Sequence, residues 1–149
     1  MSVVANISKG SVASYAALAQ AATGSIVVVP LLAANLPAED TLADYDTVAD
    51  LLAGPADENT TMGRKTLTGV TVAVNDTSNT RSVDSGDPSW TSGQMGGGAV
   101  AKLCYAYDPN PGSGTDAELV PLVYLDCTVT PDGNQFTYVH AANGWFTAS

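Results

Sequence analysis

The sequence predicts a mainly β, α+β fold: an antiparallel β-sandwich or barrel with one or two short N-terminal helices. Helical spacing of apolar residues is confined to the first third of the chain. From Thr66 onward, apolar and polar residues alternate with a period of two, as half-buried strands do. Turn residues separate these runs at short intervals, the pattern of antiparallel sheets. A chain of 149 residues fits one domain. Within it, residues 1–62 read as mixed helix and strand, and residues 63–149 as β.

Val12, Tyr15, Leu18 and Ala19 fall at helical spacing, with Ser11 as a candidate N-cap and Gly24 as a stop. Ser25–Leu32, SIVVVPLL, is a β-branched run. It reads as a strand buried on both faces or lying at a sheet edge, because Pro30 cannot donate to a ladder. Asn35–Glu39 reads as a turn. Leu42, Tyr45, Val48 and Leu52 form a second helical stripe. Its helix is predicted over 46–53, with room for an extra turn before it. Asp46 or Thr47 would cap the start, and Gly54–Pro55 would stop it.

The stretch Gly63–Trp90 organises the β part of the chain. It opens on Arg64 and Lys65 and continues as one alternating strand over Thr66–Val74. A polar segment, Asn75–Pro88, reads as a loop or short hairpin with a small strand at Arg81–Val83. Ser92–Gly98 is flexible in composition. Ala99–Tyr107 reads as a strand with Val100, Lys102, Cys104 and Ala106 on one face. Glu118–Thr130 reads as a long strand with a break near Pro121, and Val123, Leu125, Cys127 and Val129 share a face. Asp132–Gly133 signals a hairpin turn. Gln135–His140 and Gly144–Thr147 read as a last strand pair around Asn143–Gly144.

Composition narrows the function classes. The chain carries 15 acidic and 5 basic residues, a net charge of −10. That balance repels phosphate backbones and anionic membranes, so nucleic acid and membrane are not expected partners. Charged residues make up 13% of the chain, about half the usual globular share. Thr, Ser, Asn, Gly and Ala must then cover much of the surface, as they do on surfaces that face other protein. The longest apolar run, Ile26–Ala34, is interrupted by Pro30 and too short to span a bilayer. The N-terminus lacks a basic segment followed by an apolar one, so synthesis in the cytoplasm without export is expected.

No motif announces catalysis, a cofactor or a metal, and the expectation is a protein that is not an enzyme. Asp108, Asn110, Asp116 and Glu118 share part of a calcium loop. Ser113 stands where that loop needs Gly, and Leu119 where it needs Glu, so the residues read as an ordinary turn. Gly96–Gly98 lacks the Lys-Ser/Thr and helix start of a phosphate loop, and Gly112-Ser113-Gly114 is not a nucleophile elbow. His140, the single histidine, has no carboxylate close in sequence and reads as structural. Cys104 and Cys127 read as buried small hydrophobes, with a disulfide between strands as the sharper alternative. Trp90, Trp145, Tyr105, Tyr107, Tyr124 and Tyr138 read as core aromatics, with a recognition platform as the alternative. Arg64 and Lys65 are expected to pair with local Asp residues rather than with an acidic partner.

Several segments resemble small virion proteins of tailed bacteriophages, of the minor capsid or head-decoration kind. The matching residues are Arg64–Asn75, Asp87–Trp90, Lys102–Asp108, Gly114–Leu122, Val129–Gly133 and Asn143–Ala148, with Leu42–Gly54 upstream. The resemblance implies a non-enzymatic protein on the capsid surface of the virion, made in the host cytoplasm. Its partner would be the major capsid protein, and it would assemble as a homo-oligomer, a trimer by preference. It carries over no site residue, because the matching pattern is one of fold. A tail, head–tail connector or receptor-binding β domain is the alternative. A hydrolase built on carboxylates distant in sequence is the third class. Within the organising stretch, the strand is expected at the centre of the β domain. The loop Asn75–Pro88 is the expected contact with a neighbouring subunit.

Overall fold

A computed structural model describes residues 2–149. The molecule is mainly β, with antiparallel sheets and a few short helices. Its framework is a five-stranded sheet of β1 (Val3–Val4), β2 (Ser25–Leu32), β3 (Lys65–Thr66), β7 (Val100–Asp108) and β8 (Val120–Val129), in the order β1-β8-β7-β2-β3. A second sheet joins β4 (Thr71–Asn75), β5 (Thr80–Asp84) and β10 (Phe146–Ala148) in the order β10-β5-β4. β6 (Ser89–Trp90) and β9 (Phe136–Thr137) form a separate pair. The helices are α1 (Val12–Gln20), α2 (Glu39–Ala43) and α3 (Val48–Ala53).

β2 is buried on both faces, as its β-branched run demands. Ile26 and Val28 join one apolar cluster, while Val27, Val29 and Leu31 join the other. Pro30 is tolerated because of where its nitrogen points. Its carbonyl accepts from Asn59 N–H, so its main-chain groups face away from β7. On that side β3 has already ended, and only residues 57–59 run alongside. Pro30 therefore removes no bond from the β2–β7 ladder. The break expected near Pro121 is a β-bulge. Tyr105 faces Val123 and Ala106 faces Pro121, leaving Leu122 as the extra residue.

The central sheet is the middle of a three-layer arrangement. On one face, α1 and the two small sheets bury Val12, Ala16, Val83, Trp90 and Trp145 against Leu103, Tyr105, Val123 and Leu125. On the other, α2, α3 and the segments beside them bury Leu42, Val48, Leu51 and Ala56 against Val27, Val29, Cys104 and Tyr124. The extra turn before α3 is a helix in its own right, starting at Glu39 where the sequence suggested a turn. Thr47 is the cap of α3: its hydroxyl accepts from Asp50 N–H. Ser11 precedes α1 without a side-chain capping bond and contributes only its carbonyl, to Ser14 and Tyr15.

Two strand expectations are corrected and one is met. Thr66–Val74 is not one central strand. Gly69, at φ +61°, breaks it, so β3 lies at the edge of the central sheet and β4 at the edge of the three-stranded one. Residues 75–88 do hold the short hairpin expected as one of two readings: β5 returns beside β4 with Val72 opposite Val83, and it spans Thr80–Asp84, slightly longer than the small strand at Arg81–Val83. The turn at Asp132–Gly133 and the turn at Asn143–Gly144 do not close hairpins. β9 leaves to pair with β6, and β10 leaves to pair with β5. Trp145 N–H donates to Val83 carbonyl, and the stacked Trp90 and Phe136 rings hold β6 to β9.

Candidate interaction surface

The polar residues singled out by the sequence are mostly engaged with one another. Asp108 is buried, and its Oδ1 accepts from Asn110 N–H at 2.8 Å. Glu118 turns to the Thr115 N–H at 2.8 Å and to its hydroxyl at 2.9 Å. Those bonds, the backbone one first, hold its carboxyl below the ordinary value. Asp116 leaves this group altogether and accepts from Arg64 Nη1 at 2.5 Å. Among the described residues, no group of three or more His, Cys, Asp or Glu is placed to hold a metal ion.

Arg64 pairs within the chain, as expected, but not with a local Asp: the partner near in sequence is Glu58, and the Asp partner, Asp116, lies 52 residues away. Its Nε and Nη2 reach Glu58 at 2.9 and 2.7 Å in a two-pronged contact. The Glu58 hydrogen bonds, with Asp116 behind them, push the Arg64 pKa upward. Among the described residues Lys65 pairs with no acid: its Nζ donates to Gln94 Oε1 at 2.8 Å and lies 6.0 Å from the Trp90 ring centre. A more deeply buried cation escaped the sequence reading. Lys102, only 8% exposed along its side chain, contacts Asp126 at 2.5 Å and Glu39 at 2.9 Å. A lysine amid an apolar strand was the signal. Asp126, directly opposite on β8, is legible only once the register is known.

His140 is where the fold assembles what sequence spacing hid. Its side chain is 3% exposed. Nε2 lies 2.7 Å from the Tyr105 hydroxyl, and Nδ1 lies 3.1 Å from Asp87 Oδ1 and 3.4 Å from Ser85 carbonyl. Asp84 stands 3.9 Å away. The same Asp87 oxygen accepts from His140 N–H at 2.9 Å. Tyr105 belongs to the central sheet, and Asp84–Asp87 to the end of β5 and the segment after it. The histidine therefore bolts the base of the three-stranded sheet to the core. A cleft of about 250 Å³ beside it is lined by Leu125, Tyr138, Ala141 and Trp145 among others. Tyr105 is fully buried, and burial raises its hydroxyl pKa, so the phenol holds its proton.

From that base the β4–β5 hairpin projects. Of β4, only Val72 is half-buried, while Thr71, Ala73, Val74 and Asn75 are exposed. Val74 is 67% exposed. The turn is built by Asn75, whose Oδ1 accepts from Thr77 N–H and Ser78 N–H at 3.0 and 3.2 Å. Asn79 adopts φ +50°, which Asn tolerates better than most residues. An open cleft of about 780 Å³ runs beside the hairpin, lined by Asn75, Asp76, Ser78, Ser82, Asn143 and Thr147 among others. A shallower one of about 330 Å³ includes Arg81 and Ala148. These surfaces carry hydroxyls, amides and few charges. They suit contact with protein better than capture of a charged small molecule.

The remaining candidates lie in the core. Trp90, Tyr105, Tyr107, Tyr124 and Trp145 are all buried, so they form no exposed platform; Tyr138 is half-buried. Cys104 and Cys127 are both free. They sit on opposite faces of the central sheet, one in each apolar cluster, which rules out the disulfide. No helix among the described residues is long and apolar enough to cross a membrane. No family model matches the chain, and no curated protein or solved structure matches it.

Proposed function

We propose that the chain is a non-enzymatic virion protein that binds and stabilises the capsid of a tailed bacteriophage, as a head-decoration or minor capsid protein. The observation that carries this reading is the projecting β4–β5 hairpin. It is a sparsely charged protein-contact surface held on a rigid base, in a chain whose Arg64, Lys102 and His140 face partners of their own. The sequence resemblance supports the same reading. The partner is the major capsid protein, approached by homo-oligomers, for which the resemblance favours a trimer. On a symmetric shell many copies of a weak contact suffice, because each site is repeated and linked copies bind with high effective concentration. The net charge of −10 keeps the protein off packaged DNA. Burial of the aromatics removes the main support for the receptor-binding alternative.

The test is co-sedimentation of the purified protein with DNA-filled heads, empty shells and isolated tails, followed by cryo-electron microscopy of the bound particles. Saturable binding to heads, with density repeating over the capsid faces, is expected. Association with tails alone, or with neither particle, removes the proposal.

A further inference from the structure

We infer that Arg81, in one row with Val74 and Ala148 on the core-facing side of the three-stranded sheet, anchors this chain to its partner by binding a carboxylate that stands beside an apolar side chain on the major capsid protein. The inference rests on the capsid reading and names the contact within it.

The register of the sheet builds the surface. Val72, Val83 and Phe146 lie side by side across β4, β5 and β10. This row closes over the apolar core, with α1 packed along β4. One strand period further out, Val74, Arg81 and Ala148 form the next row on the same face. That row overhangs the core: all three residues are exposed, Val74 to 67%. They line the cleft of about 330 Å³ beside the turn.

Arg81 is placed unlike the other cations. Arg64 and Lys102 are held by carboxylates of their own chain, and Lys65 by Gln94. Lys9 shares its depression with Asp40 and Asp44. Among the described residues, Arg81 has neither an ion pair nor a side-chain hydrogen bond, in a chain of 15 acids. The acidic excess also lapses here. Over Thr71–Val83 the charges are Asp76 and Arg81, which cancel, against −10 for the whole chain. A carboxylate therefore meets less repulsion at this row than a chain of −10 implies, because charges beyond about 8 Å are screened at physiological salt.

The chemistry of the row sets that of the partner. A guanidinium carries its N–H donors in a planar fork that grips a carboxylate by two parallel bonds. A phosphate fits the same fork, but the net charge repels a nucleic-acid backbone. Val74 and Ala148 on either side offer apolar surface, so the fitting carboxylate is one with an apolar neighbour. An arginine between apolar residues that shut out water is the usual form of an interface anchor.

Co-sedimentation of the full-length chain with DNA-filled heads tests the inference, with circular dichroism to check each variant's fold. Arg81→Ala is expected to weaken binding about tenfold or more. Arg81→Glu, which sets two carboxylates face to face, is expected to bind more weakly still. Arg81→Lys should recover only part, because an ammonium cannot make the two-pronged contact. Val74→Ser is expected to weaken binding in the same direction, and Lys9→Ala to bind as the wild type does. Arg81→Gln, nearer in size, serves should the alanine variant fail to fold. Equal binding by the wild type and Arg81→Ala overturns the inference and leaves the capsid reading standing. So does an equal loss in Lys9→Ala, which marks a general effect of charge. Arg81→Glu binding no more weakly than Arg81→Ala removes the carboxylate as the target. A wild-type chain that binds no heads removes the capsid reading and this contact with it.

Discussion

Burial decides the chemistry of the two thiols. It pushes Cys104 up to about 12 and Cys127 up to about 11, so neither forms thiolate readily at neutral pH. In a thiol titration the folded chain is expected to resist modification, and both groups should react once it is denatured. A reductant should leave the melting temperature unchanged, because no disulfide exists to be cut. Arg64 makes a second case. Replacing it with Ala strands Glu58, whose side chain is only 12% exposed, and releases Asp116. A loss of about 1–3 kcal/mol is expected, read as a lower denaturation midpoint at unchanged slope. The sequence marked Arg64 as unusual but could not name Glu58 and Asp116 together, because they lie 6 and 52 residues away. His140 shows the same limit: Asp87 and Tyr105 are 53 and 35 residues from it.

Strand positions in β2, β7 and β8 were legible because each is long, apolar and buried, and periodicity reports burial directly. The short strands were misassigned for a physical reason. A run such as Thr66–Val74 keeps its alternation through Gly69, and composition cannot reveal that the chain changes sheets there. The turns at Gly133 and Gly144 carry hairpin residues, at φ +83° in both, yet the strands after them find better partners elsewhere. Gly144 is the more restrictive of the two. A Cβ there would press into the Val83 carbonyl, the same oxygen that receives Trp145 N–H. Gly144→Ala is therefore expected to detach β10 from β5, with rapid hydrogen exchange at Phe146 and Ala148, opposite Val83 and Arg81, while the central sheet stays protected. Gly133→Ala has open space around it and should cost only its backbone strain, about 1 kcal/mol.

Across the whole molecule the acidic excess sets the response to pH. The bond from Lys102 holds the Glu39 carboxyl below its ordinary 4.5, and the Thr115 bonds do the same for Glu118. The Asn134 side chain lowers Asp132 from 3.8. Each group is more acidic folded than unfolded, so the unfolded chain binds more protons and stability rises with pH through this range. The contribution is complete above about pH 4.5 and is lost as pH falls through the depressed values. Thermal melts from neutral pH downward should be flat at first and drop below that point; a melting temperature that climbs on acidification contradicts the assignment. Glu39→Gln should flatten part of the drop.

The order β1-β8-β7-β2-β3 has a consequence for synthesis. β2 is made early, but its principal neighbour β7 begins at Val100, and β1 waits for β8, which starts at Val120. While the ribosome builds the intervening stretch, the largely apolar SIVVVPLL strand lacks its main ladder partner, and only the helices and the short β3 are made to cover it. Non-local pairing of this kind slows folding and prolongs exposure of an aggregation-prone segment. The nascent chain must therefore keep β2 apart from other nascent copies until more than two-thirds of its length has emerged. The acidic residues between β2 and β7 are placed to provide that mutual repulsion.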